Sequence, residues 1–121
     1  VLVPVVKVEE KMFLSPHFGR APGFAVYEVS NGNVTLVEYV ENPYKGSHEH
    51  SGHGRQVLDF IMSLRPGVVV VKSIGAGAFY RLKEAGVPIY LSNDRMAEEA
   101  LAKLVRGELE ELSEPNEDHT H

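Results

Sequence analysis

Three short segments of this 121-residue chain hold the side chains with chemistry to offer. The first is His48-Glu49-His50-Ser51-Gly52-His53. Imidazole suits zinc, copper, nickel and iron, and residues two apart in an extended loop share a side. The same run reads equally as a solvated polar loop that takes up metal only adventitiously. The second is Ser15-Pro16-His17-Phe18-Gly19-Arg20-Ala21-Pro22, a stiff, irregular stretch. In it Gly19 permits close backbone approach and Arg20 offers a forked cationic donor to an anion. The third is Val68–Phe79, where an apolar run turns through Ile74-Gly75-Ala76-Gly77 into a helical pattern. Such a turn leaves backbone N–H groups at a helix start, beyond the carboxyl end of a strand, where anions and ligands sit. Its spacing matches neither the dinucleotide fingerprint nor the P-loop.

Further positive groups are Arg55, Lys72 and Arg81. Each reads first as a solvated charge, and Arg20 and Arg55 are the two best anion donors. His119 and His121 lie in an acidic tail and carry no site.

What is absent narrows the chemistry. There is no cysteine, hence no disulfide framework, thiolate nucleophile or Cys-anchored zinc or iron–sulfur site. Two-metal phosphoryl chemistry needs clustered carboxylates, yet Val1–Val8 and Val68–Ser73 hold no Asp or Glu. Glu28 and Glu38 cannot build that cage alone, so a nuclease is excluded. Ser73 beside a glycine turn reads as a local cap rather than a nucleophile. The sequence gives no support to an enzyme.

The elements that must position these segments follow from pattern. Val1–Val8 reads as a strand, with Pro4 demoting it toward an edge or an end. Lys7–Pro16 reads as a loop. Phe24–Val29 and Val34–Val40 are β-rich runs joined through Asn31-Gly32, a strong hairpin signal. Arg55–Arg65 carries a helical face of Val57, Leu58, Ile61 and Leu64, stopped by Pro66-Gly67. The four consecutive valines 68–71 read as a strand buried on both faces. Its helix runs to Gly86, and a short strand follows at Val87–Leu91. Asp94 is expected to cap a last helix that ends before Gly107. The order β-β-β-α-β-α-β-α, with right-handed crossovers, places the fourth and fifth strands parallel to the first. That is an α/β fold with a ribonuclease-H-like motif: a five-stranded mixed sheet flanked by three helices. Residues 1–107 form one domain, and 108–121 read as a disordered acidic tail.

Hydrophobic residues at 43% and charged residues at 24% give an ordinary globular balance. The net charge of −5 argues against a dedicated nucleic-acid binder, and no run approaches membrane-spanning length. The opening VLVPVV is too short for a signal h-region, so a cytoplasmic location with no membrane partner is expected. The missing initiator Met reads as a processed or trimmed start.

The sequence resembles the dinitrogenase iron–molybdenum cofactor biosynthesis family. The matching pieces are VLVPV, His17-Phe18-Gly19-Arg20-Ala21-Pro22 with Phe24, Asn42-Pro43, His53-Gly54 and Val70-Val71 through Ile74-Gly75. Ala78-Phe79, Leu82, Ala85-Gly86-Val87, Tyr90 and Gly107-Glu108-Leu109 complete them. The resemblance implies a ribonuclease-H-like fold and a non-enzymatic carrier of a metal–sulfur cluster. The cargo it implies is the iron–molybdenum cofactor, or a related molybdenum–iron or molybdenum–copper sulfide cluster. The family's ligating His maps onto His17, beside Phe18, Gly19 and Arg20, with Gly75, Ala76 and Gly77 facing the cargo. Partners would be the preassembled cluster and proteins that donate or accept it. The resemblance also sets Pro4 where the first strand leaves the sheet. Two other readings stay open: a zinc, nickel or copper binder using His48, His50 and His53, and an interaction module docking a partner through a two-helix face.

Overall fold

A computed structural model describes residues 1–43 and 53–116. Among them are seven strands and three helices. In chain order these are β1 (Leu2–Val8), β2 (Lys11–Leu14), β3 (Gly23–Ser30), β4 (Asn33–Glu41), α1 (His53–Ser63), β5 (Val69–Val71), α2 (Ala76–Glu84), β6 (Ile89–Leu91), α3 (Ala97–Val105) and β7 (Glu110–Glu111). One mixed sheet has the order β4-β3-β1-β5-β6-β7, with β2 also paired to β1. β5 runs parallel to β1 and β6 parallel to β5, as right-handed crossovers require. The ribonuclease-H-like α/β arrangement therefore holds, with two strands more than the five expected.

The valine run shows why the sheet is covered on both sides. Val69 and Val71 point into a cluster with Val57, Leu58 and Ile61 of α1 and Phe79 and Leu82 of α2. Val70 points the other way, to Ala97, Ala100 and Leu101 of α3. Alternate side chains leave opposite faces of a strand, so both faces here must be apolar. Truncating a fully buried member such as Ile61 or Leu101 to Ala costs about 2–5 kcal/mol. The β3–β4 hairpin turns through Asn31 and Gly32, both at positive φ (54° and 82°), which the Asn-Gly pair tolerates.

Pro4 is the geometric origin of the site. β1 is a central strand, not an edge, and it continues past Pro4 to Val8. The Leu2 N–H donates to the Val68 carbonyl, so the Pro4 nitrogen faces the same side two residues on. There β1 exchanges partners: Leu2 pairs with Val69 of β5, whereas Val5 pairs with Leu14 of β2. The missing donor falls in the gap between them, where it costs no ladder bond. Rather than leaving the sheet, the strand changes neighbours at its proline.

Other expectations need correction. Lys11–Leu14 lies in the expected loop, yet it pairs with β1 across a turn where Glu9 takes φ 57°. α1 begins at His53 rather than Arg55. Asp94 does not cap α3; Met96 holds that position, and its N–H donates to Glu99 Oε1 at 3.2 Å. The expected disordered tail is instead docked as far as Asn116. Glu110 and Glu111 pair with β6, Leu112 is buried in the α1/α2 cluster, and Asn116 bonds to Ile74.

Candidate functional site

β2 and β5 approach Pro4 from opposite directions, and both chains leave the sheet there. Ser15 N–H, just past β2, donates to the Pro4 carbonyl at 2.9 Å. Ser73, just past β5, donates its hydroxyl to the Pro16 carbonyl at 2.6 Å. The His17 loop thus leaves the end of β2, not the carboxyl end of the first strand, and it lies directly against the glycine turn. Both segments send a side chain, Phe18 and Ile74, into the core under α1 and α2. A break in strand pairing that turns two chains outward is a geometry where ligands bind in open sheets.

Three devices fix the His17 loop. Buried Ser15 accepts the His17 N–H and donates to the His17 carbonyl, a local hydroxyl turn. Phe18 is buried and tilts against Phe24, with ring centroids 6.3 Å apart. Asn42, 1% exposed, donates its side-chain amide to the carbonyls of Ala21 (2.9 Å) and Gly19 (3.3 Å), while its N–H reaches Pro22. A buried amide must be satisfied, so Asn42 ties the loop to the end of β4.

Between this loop and the starts of α1 and α2 lies an open cavity of about 540 Å³. Phe18 and Gly19 form one wall, Arg55, Val57 and Leu58 of α1 a second, and Gly75–Ala78 with Arg81 a third. Gly75, at the cap position before α2, offers no side-chain cap, and neither α1 nor α2 has an acidic residue in its first turn. Orphan N–H groups and the positive ends of two helix dipoles therefore meet at one cavity. Two guanidinium groups add to this. Arg81 Nη2 lies 3.0 Å from Asp59 Oδ1, while Arg55 has no ion-pair partner among the described residues. Gly19 and Gly77 both lack positive φ, and a Cβ on either would meet nothing within 4 Å. What their missing side chains leave free is room in the cavity. The arrangement suits a bulky anion with apolar flanks.

Of the expected binding residues, Phe18, Gly19, Gly75, Ala76 and Gly77 line the cavity; His17 and Arg20 do not. Both are exposed on the loop that makes its wall. His48 and His50 lie outside the described residues, and His53 opens α1. Among the described residues no group of three or more His, Asp or Glu could hold a metal ion. No described helix is long and apolar enough to cross a membrane. Arg81, read from sequence as a solvated charge, lines the cavity, as do Val57 and Leu58, read only as core. Their spacing did mark one face of α1, which here serves both.

Residues 1–107 match the family model described as dinitrogenase iron–molybdenum cofactor. An uncharacterized protein of Methanocaldococcus jannaschii is 31% identical over 100 residues, 82% of each chain. Among solved structures, the NMR structure of a NifB-type protein from Thermotoga superposes with a TM-score of 0.73 at 29% identity, covering 97% of this chain and 96% of that one. The apo form of the orange protein from Desulfovibrio gigas gives a TM-score of 0.79 at 25% identity, covering 96% and 94%.

Proposed function

Since this chain belongs to the dinitrogenase iron–molybdenum cofactor family, we propose that it is a non-enzymatic carrier of a preassembled, anionic metal–sulfur cluster. The cargo is of the iron–molybdenum type or a related molybdenum–iron or molybdenum–copper sulfide, and it sits in the cavity at the starts of α1 and α2. The observation that carries this reading is the convergence there of Arg55, Arg81 and an uncapped, glycine-bearing helix start, with Asp59 paired to Arg81. Charge-assisted donors and backbone N–H groups hold an anion without covalent ligands. A cluster that brings its own sulfides needs no cysteine from its carrier, and this chain has none. His17, exposed beside Phe18, supplies a displaceable imidazole, and Arg20 a further cation, at the loop that walls the cavity. Few and weak attachments suit a carrier that must pass its cargo to an acceptor protein.

The test is anaerobic loading of the untagged chain with isolated iron–molybdenum cofactor, with tetrathiomolybdate, and with tetrathiomolybdate plus copper(I). Gel filtration, visible absorption and metal analysis follow. A coloured, stoichiometric complex is expected in at least one arm. His17→Ala should keep the fold, because His17 is exposed, and lose most of the bound cluster. Failure of every sulfide arm, with zinc or nickel alone binding stoichiometrically, would replace this reading with simple metal-ion binding.

A further inference from the structure

We infer that Asn116 is a positioning residue for the cavity, acting from a C-terminal segment that lies beyond the residues matched to the family. The cavity's third wall begins where β5 ends, and a backbone that has left its sheet needs new partners for its polar groups. Asn116 supplies them. Its side-chain oxygen accepts the Ile74 N–H at 2.8 Å, its side-chain amide donates to the Lys72 carbonyl at 3.0 Å, and its own N–H donates to the Ile74 carbonyl at 3.2 Å. One residue thereby stands in for a missing strand along Lys72–Ile74, directly before Gly75.

The segment is anchored well enough to do this. Leu112 is buried against the α1/α2 core, and its N–H donates to the Ile89 carbonyl at 2.8 Å. Glu111 lies 3.4 Å from Lys83 of α2. Ser73, between the two residues that Asn116 grips, donates to the Pro16 carbonyl. The grip therefore extends from the tail through the glycine turn to the His17 loop, and it sets the distance between two walls of the cavity. The consequence for cargo rests on the carrier reading; the positioning itself does not.

Asn116→Ala in the full chain tests it, read by amide exchange, amide chemical shifts and tetrathiomolybdate affinity. Exchange at Ile74 should rise about tenfold, the loss of one good hydrogen bond. Amide shifts should move in Ala76–Ala78 and in His17–Gly19, and affinity should fall about tenfold. Asn116→Asp keeps an acceptor for the Ile74 N–H but sets its second oxygen against the Lys72 carbonyl, so it should restore that protection only in part; a merely structural clip would leave the Ala76–Ala78 shifts unmoved in either variant. Unchanged exchange at Ile74, or faster exchange with unmoved site shifts, would overturn the inference. Should the parent chain fail to bind tetrathiomolybdate, the carrier reading loses that arm while exchange and shifts still decide the role of Asn116.

Discussion

The chain builds two strand–helix units side by side in one sheet, and it finishes them in opposite ways. At β6–α3 the helix start is self-sufficient. Glu98 and Glu99 stand in the first turn of α3, Glu99 accepts the Met96 N–H, and Asp94 in the preceding loop bridges Ser92 and Lys103. At β5–α2 the corresponding positions are Gly75, Ala76 and Gly77, with no cap and no acid, and they open on the cavity. A helix start that satisfies itself has nothing to give a ligand; one left unsatisfied binds anions at some expense in stability. The difference teaches where to look for function in a fold whose units are otherwise equivalent.

The largest effect should come from making the second unit resemble the first. Gly77→Glu places a carboxylate in the first turn of α2, into space where a Cβ meets nothing. Repulsion at contact distance should weaken tetrathiomolybdate binding about a hundredfold. Yet stability should rise by about 0.5–1 kcal/mol, from better helix propensity and a favourable dipole. The mirror change in α3, Glu99→Gly, should cost about 1 kcal/mol and leave binding alone. Thermal melts and titrations on the same samples check both, and a Gly77→Glu protein that binds normally would break the comparison.

Next in size is Arg81. A charge-assisted contact is worth about 1.5–3 kcal/mol, so Arg81→Ala should weaken anion binding about ten- to a hundredfold. Its pair with Asp59 is exposed on both sides, 43% and 56%, so stability should move by less than about 0.5 kcal/mol. Asp59→Asn removes the competitor for that guanidinium and should tighten binding severalfold at low salt, less so at high salt. Tighter binding would identify Asp59 as a counter-ion that cargo displaces; weaker binding would identify it as the group that orients Arg81.

Sequence made the β5–α2 unit easier to read than its supports. Four valines in a row, Asn31-Gly32 and the Ile74-Gly75-Ala76-Gly77 turn are local signals, each with a short-range cause. β2 was hidden because its turn uses Glu9 in a left-handed conformation where glycine would have announced it. β7 was hidden because Glu110-Glu111 is a poor strand by composition, made one by the edge of β6 and the burial of Leu112. The pins of the site, Asn42 and Asn116, act on carbonyls and amides 21 and 42 residues away. A polar residue's distant partner leaves no trace in its neighbours, and this is why the acidic tail read as disordered. Asp94 misled for the opposite reason. Its type suits a cap, but the chain continues extended through Met96, and Lys103 engages the carboxylate first.

That Asp94 contact gives the smallest expected effect and the cleanest control. Lys103 Nζ lies 2.8 Å from Oδ1, and the Ser92 hydroxyl donates to Oδ2 at 2.7 Å, with the Asp94 side chain only 14% exposed. The Lys103 hydrogen bond, and then that of Ser92, hold the Asp94 carboxyl below its usual range. A carboxylate with a depressed folded-state pKa stabilises the fold when ionised. Its contribution is complete above the unfolded value of about 3.9 and is lost as pH falls through the lower folded value. Asp94→Asn should therefore lower the thermal midpoint by about 2–5 °C at pH 6. The midpoints of parent and variant should converge below about pH 4. Binding at the cavity should not change, because α3 packs on the opposite face of the sheet from α1 and α2. Thermal melts from pH 7 to pH 3, with a tetrathiomolybdate titration at pH 7, measure both. A shift in affinity in Asp94→Asn would mean that the two strand–helix units are coupled through β5 and β6, and that the self-sufficient unit also tunes the open one.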